Sequence, residues 1–68
     1  MNSNDLWKLF ISVKLTDEQV DKFSMEEIKC LDDHLTMYFA QMGHCVSFAG
    51  PFGHNYQKVS PKIKKLKL

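Results

Sequence analysis

The chain is 68 residues long, with nine basic residues, all of them lysine, against eight acids and a formal net charge of +1. That length allows one domain at most, and below roughly 70 to 80 residues a single core seldom contributes more than about 3 to 5 kcal/mol, so support from a partner chain is expected. It also leaves little material to enclose a substrate, and the absence of arginine removes the planar fork that reads guanine edges, which sets aside ordinary catalysis and sequence-specific nucleic-acid recognition.

At the start of the chain, Met1–Asp5 carries no basic residue and the apolar stretch Leu9–Val13 is too short for the core of a secretory leader. The two thiols, Cys30 and Cys45, are therefore expected to stay reduced, in a cytoplasmic protein. Leu9, Ile11, Val13 and Leu15 alternate with Phe10, Ser12 and Lys14, a period of two with β-branched residues at its centre, which predicts a strand. The same segment admits a helix, because with Asn4 as cap Leu6, Phe10 and Val13 fall near one helical stripe. Next, Thr16 leads Asp17, Glu18 and Gln19, acids in a first turn where the helix dipole favours them, and Val20 with Phe23 supplies an apolar face; a short helix is predicted over 17–23.

Ser24 and Glu27 match a capping box, in which a hydroxyl and a carboxylate three residues later satisfy otherwise orphaned backbone donors. From there Ile28, Leu31, Leu35, Tyr38, Phe39 and Met42 recur at three- and four-residue steps, and Gly43 stands where a left-handed cap belongs. The main helix is predicted over 25–42. The longest run without Asp, Glu, Lys or Arg goes from His34 to Gln57, but Gln41, Gly43, His44, Ser47, Gly50, Pro51, Gly53, His54 and Asn55 interrupt it too often for a membrane-spanning helix.

Within that run, residues 44–49 (HCVSFA) and 55–60 (NYQKVS) read as strands joined by a loop containing Gly50, Pro51 and Gly53. Val46 and Phe48 are expected to be buried on the main helix, with Phe52 exposed at the tip. Pro61 ends the second strand because it cannot donate to a ladder. The expected fold class is thus α+β: an N-terminal strand, one short and one long helix, then a β-hairpin, the small antiparallel sheet packing on the long helix. A small helical bundle with a C-terminal hairpin is the alternative. The domain is expected over 1–60, followed by a lysine-rich tail over 61–68.

The histidines and thiols are the first candidates for chemistry. Cys30, His34, His44, Cys45 and His54 are enough soft and imidazole ligands for zinc. Their placement is poor: Cys30 and His34 lie roughly 100 to 140 degrees from the stripe of Leu31, Leu35 and Phe39, and neighbours on a strand such as His44 and Cys45 point to opposite faces. No metal site and no cofactor are expected. Cys45 and His54 would approach across the hairpin, but no third group orients them and no nucleophile motif surrounds the thiol, so no catalytic residue is assigned. The glycines of GPFG are not followed by the lysine and hydroxyl of a phosphate loop, and the proline lacks an amide donor.

Charge is distributed unevenly. Residues 1–43 hold four lysines against eight acids, a balance of minus four, while residues 44–68 hold five lysines and no acid, plus five. Lys58, Lys62, Lys64, Lys65 and Lys67, with Tyr56 as a stacking group, are candidates for weak, salt-dependent contacts to a nucleic-acid backbone. The back of the main helix offers another surface: Glu26, Cys30, His34, Met37 and Gln41 line up opposite the core stripe, a row too apolar for open solvent. Methionine adapts its shape to partners. Cys30, His34, Met37, Gln41 and Phe52 are therefore the candidate partner-binding residues. The expected function is a non-enzymatic interaction module, a small regulator, adaptor or inhibitor that occupies a protein partner's surface or pairs with itself, and a nucleic-acid-binding accessory protein is the alternative.

Overall fold

Asn2 opens the first helix: its side-chain oxygen accepts the amide of Asp5 at 2.8 Å, satisfying a donor that the first turn leaves free. In the computed structural model, which describes residues 2–43 and 47–68, this helix (α1) spans Ser3–Ser12 and is followed by α2 (Asp17–Asp21), α3 (Met25–Met42) and α4 (Gly50–Leu66). No strand occurs among the described residues. The expected α+β class is therefore corrected to a small all-helical bundle, the alternative architecture without its hairpin.

Over residues 9–15 the alternation of period two loses to the helical period. Leu6 and Phe10, four apart, are buried, whereas Ile11 and Val13, which a strand would bury with Leu9 and Leu15, are 41% and 46% exposed. The helix stops at Ser12, whose hydroxyl turns back to donate to the Lys8 carbonyl. Val13 is extended, and the chain runs on to bury Leu15 in the core.

Both central helices begin on reciprocal caps. Thr16 accepts the Gln19 amide while Gln19 accepts that of Thr16, and Ser24 does the same with Glu27. α2 stops two residues short of the predicted 17–23, and α3 has the predicted bounds of 25–42. Gly43 caps α3 at a φ of 55°, a conformation that costs glycine nothing.

The largest correction lies after α3. Residues 50–66 form one helix where a loop, a strand and a tail were expected. Phe52, Asn55, Val59 and Ile63 recur at three- and four-residue steps and are all buried, a periodicity that outweighs two prolines. Pro51 sits in the first turn, where its missing amide had no intrahelical partner. Pro61 sits inside the helix and forfeits one backbone bond, a cost of about 3 kcal/mol that the packing of Val59 and Ile63 offsets.

Gly53 is needed for a different reason. A Cβ there would stand 1.6 Å from the Phe48 carbonyl oxygen, so only glycine lets the preceding chain cross the first turn of α4. Of the expected first strand, residues 44–46, Val46 among them, lie outside the described residues. Phe48 is 52% exposed instead of buried, and Phe52 is buried instead of exposed at a tip. The domain boundary expected at 61 falls inside α4, with Ile63 in the core.

α1 packs on α3 and α4, α3 on α4, and α2 on α4. α3 and α4 are antiparallel: Phe39 meets Phe52 and Tyr56 near one end, and Asp32 meets Lys67 near the other. α1 runs in the same sense as α3, Ser3 reaching His34 and Trp7 reaching Tyr38. Leu6, Phe10, Leu15, Val20, Ile28, Leu31, Leu35, Phe52, Val59 and Ile63 form the core.

One polar side chain enters that core. Asn55 is fully buried, and its Oδ1 accepts the Leu15 amide at 2.8 Å while its Nδ2 donates to the Phe10 and Val13 carbonyls, both at 2.7 Å. The amide thus closes the end of α1 and holds the connection to α2 against α4. His54 assists by donating from Nε2 to the Leu15 carbonyl at 3.2 Å.

Candidate protein-docking groove

On α3, residues 34, 37, 38, 41 and 42 recur at helical spacing beside the core stripe, and α1 sets Trp7 and Ile11, four apart, against them. Between the two helices runs an open groove of about 600 Å³, with Phe52 of α4 also in its lining. No lining residue carries an Asp, Glu, Lys or Arg side chain. Ile11, Met37 and Met42 are 41%, 62% and 45% exposed along it.

The aromatic wall is fixed by stacking. The His34 ring lies 5.2 Å from the Trp7 ring at an interplanar angle of 13°, and His34 Nε2 shares a 2.7 Å hydrogen bond with Ser3 Oγ. Trp7 also stacks on Phe10 and meets Tyr38 and Phe52 edge-on. The groove is therefore lined by stiff, mutually stacked aromatics from α1, α3 and α4 and by the adaptable Met37 and Met42 of α3.

The structure brings together four of the five residues nominated for partner binding: His34, Met37, Gln41 and Phe52. Cys30 is apart, half-buried in a shallow depression with Ser3, Leu6, Ser24, Glu26 and Glu27. Trp7, Ile11, Tyr38 and Met42 were missed. The signal for Trp7 and Ile11 is their spacing of four, legible only when residues 6–12 are read as a helix; Tyr38 and Met42 belong to the apolar stripe of α3, which by itself predicts burial in the core.

The six residues nominated for nucleic acid form no single patch. Lys58 is paired with Asp17, Lys62 with Asp21 at 3.3 Å and Lys67 with Asp32 at 3.4 Å. Asp17 and Asp21 are four apart on α2 and Lys58 and Lys62 four apart on α4, so the acids and lysines meet as two rungs. The hydrogen bond from Lys58 and then its charge, with His54 adding a little, hold the Asp17 carboxyl below its ordinary value of 3.8. Lys64 and Lys65 are exposed near the end of α4. Tyr56 is half-buried against Phe39 and Phe48, with ring centroids 5.6 and 5.5 Å away, which leaves little of its face for a base.

Among the residues weighed for zinc, Cys30 and His34 belong to α3, and His54 to α4, where it serves the Leu15 carbonyl. His44 and Cys45 lie outside the described residues. No helix among the described residues is long and apolar enough to cross a membrane. No protein-family model, curated protein or solved structure matches the chain.

Proposed function

We propose that this protein is a non-enzymatic interaction module, a cytoplasmic regulator, adaptor or inhibitor that works by seating the apolar face of a protein partner in the α1–α3 groove. One observation carries the reading: an uncharged groove whose half-exposed Ile11, Met37 and Met42 lie along stacked aromatic walls. Apolar surface of that kind, continuous rather than scattered, marks a contact site. Its length along α3, from residue 34 to 42, is about two helical turns, the span over which a groove reads successive apolar anchors of a partner helix. The cytoplasmic assignment rests on the two thiols of the sequence.

The test compares the proteins retained by the tagged wild-type chain with those retained by Ile11→Glu, Met37→Glu and the double variant Lys64→Glu/Lys65→Glu. All four positions are exposed, so circular dichroism should show the fold intact. A protein lost with both groove variants and kept by the lysine variant supports the reading. If the groove variants retain everything, the reading fails, and if binding of labelled oligonucleotides at low salt is lost with the lysine variant, the nucleic-acid function takes its place.

A further inference from the structure

We infer that this protein docks on anionic lipid bilayers, with the end of the bundle where α1 and α3 stop and α4 begins turned into the headgroup layer. The inference goes beyond the docking reading and does not depend on it. Three helix ends meet there: Phe39, near the end of α3, packs on Phe52 and Tyr56 in the first turns of α4, Phe10, near the end of α1, packs on Phe52, and Asn55 holds the Val13 carbonyl. The opposite end holds the starts of α1 and α3 and the last turn of α4. No helix among the described residues is long and apolar enough to cross a membrane, so the contact is peripheral.

Exposed apolar side chains gather at that end. Ile11, Val13, Met37, Met42 and Phe48 belong to it, and of the exposed large apolar residues only Met25 and Leu68 do not. Ile11, Met37 and Met42 line the groove, but Val13 and Phe48 stand outside it. Val13 follows α1, and Phe48 precedes α4 and packs on Phe39 and Tyr56, so the apolar groups come from separate segments and share no single hollow. A protein partner needs recesses for its anchors, whereas a bilayer interface accepts apolar and aromatic groups at any spacing. That distribution favours lipid.

Charge selects which lipid. The run from His34 to Gln57, which supplies the α3 and α4 parts of this end, has no Asp, Glu, Lys or Arg. The charged residues closest to the end are Lys8, less than one helical turn before Ile11, and Lys14, next to Val13. Both are exposed, and neither is in an ion pair among the described residues. The acids lie further off: Asp5 at the start of α1, Asp33 about two and a half turns before Met42 with Lys29 one turn beyond it, and Asp17 held by Lys58, about two turns into α4. An uncharged tip is thus followed by two lysines before any unpaired acid. When the tip enters the interface, their ammonium groups come level with the lipid phosphates, which an anionic surface rewards and a zwitterionic one does not.

Flotation of the full chain with vesicles of phosphatidylcholine, alone or mixed with phosphatidylglycerol, tests this at low salt and at about 0.15 M. The chain is expected to float with the mixed vesicles and not with phosphatidylcholine alone. Lys8→Gln/Lys14→Gln weakens the binding about tenfold or more, at about fivefold per lysine. Lys64→Gln/Lys65→Gln removes the same charge from the opposite end and changes it less than about twofold. Val13→Glu and Phe48→Glu each weaken it about tenfold or more, and Val13→Glu decides if circular dichroism shows Phe48→Glu unfolded. Failure to float with the mixed vesicles overturns the inference. Equal losses in the two lysine variants overturn it too, because they mark adsorption by overall charge, as does flotation indifferent to Val13→Glu. If Val13→Glu instead releases a protein retained by the tagged chain while vesicles stay unbound, the end is a protein contact and the inference fails. The docking reading stands or falls separately, on Ile11→Glu and Met37→Glu against lipid-free protein.

Discussion

Asn55 shows how much one side chain decides in a bundle this small. Its three hydrogen bonds reach across 40 to 45 residues of sequence to atoms that α1 and its connection leave unpaired. Removing a partner from a buried donor or acceptor costs about 1 to 3 kcal/mol, against a total of about 3 to 5 kcal/mol for a core of this size. Asn55→Ala is therefore expected to abolish most cooperative unfolding in urea, and Asn55→Asp to do little better, because a carboxylate cannot donate to the Phe10 and Val13 carbonyls. A loss below about 0.5 kcal/mol in either variant would contradict this account of the buried amide. Nothing local distinguishes Asn55 from a surface asparagine. It sits in HNY, and its partners are identified only by the packing that brings them close.

Among the elements, those that announce themselves do so through neighbours in sequence. The Ser24–Glu27 box and the stripe from Ile28 to Met42 place α3 correctly because the cap and the periodic face are complete within the segment. α1 and α4 are different. The period of two over Leu9–Leu15 and the helical period of Leu6 and Phe10 coexist in one segment, and the choice is made by what α3 and α4 present to it. In α4 the steps from Phe52 through Tyr56, Val59 and Ile63 to Leu66 are visible in the sequence, but Pro51, Gly53 and Pro61 break the local preference for helix.

α2, five residues long, is held by Val20 and by its two acids on α4. Because the Asp17 carboxyl is lowered in the folded state, its contribution is complete above its ordinary value of 3.8 and is lost as the pH falls through the lower folded value. The pairing is exposed and the effect correspondingly modest. Asp17→Asn is expected to lower stability modestly at neutral pH and to match the wild-type chain near pH 2, which flattens the loss in that acid window, as followed by thermal unfolding from pH 2 to about pH 7. An unchanged acid profile would show that Lys58 and Asp17 do not hold α2.

For the whole molecule, the asymmetry of sequence charge resolves into internal pairing. The acid-rich first part and the lysine-rich last part face each other as Asp17–Lys58, Asp21–Lys62 and Asp32–Lys67. The last residues are thus not an appendage. A chain ending at Ser60 loses Ile63, which is 8% exposed, and two of the three ion pairs. Burial of a side chain of that size contributes about 1.5 to 3 kcal/mol, so the truncated chain is expected to lose most of its helical circular dichroism at 25 °C. A truncated form with the full helical signal and a sharp melt would restore the domain boundary at 61.

The sequence by itself determined what depends on neighbours: the Ser24–Glu27 capping box, the start of α2 after Thr16, the extent of α3, the uncharged run from His34 to Gln57, and the row of His34, Met37 and Gln41 that now lies along the groove. Tertiary structure decided which of two periods residues 6–15 obey, that 50–66 is a helix, that Phe52 is buried and Phe48 is not, and that the lysines pair with acids. The physical reason is one of magnitude. Local preferences differ by a fraction of a kcal/mol per residue, whereas each buried Leu6, Phe10, Phe52 or Ile63 contributes about 1.5 to 3 kcal/mol, and only when the other helices are in place to cover it.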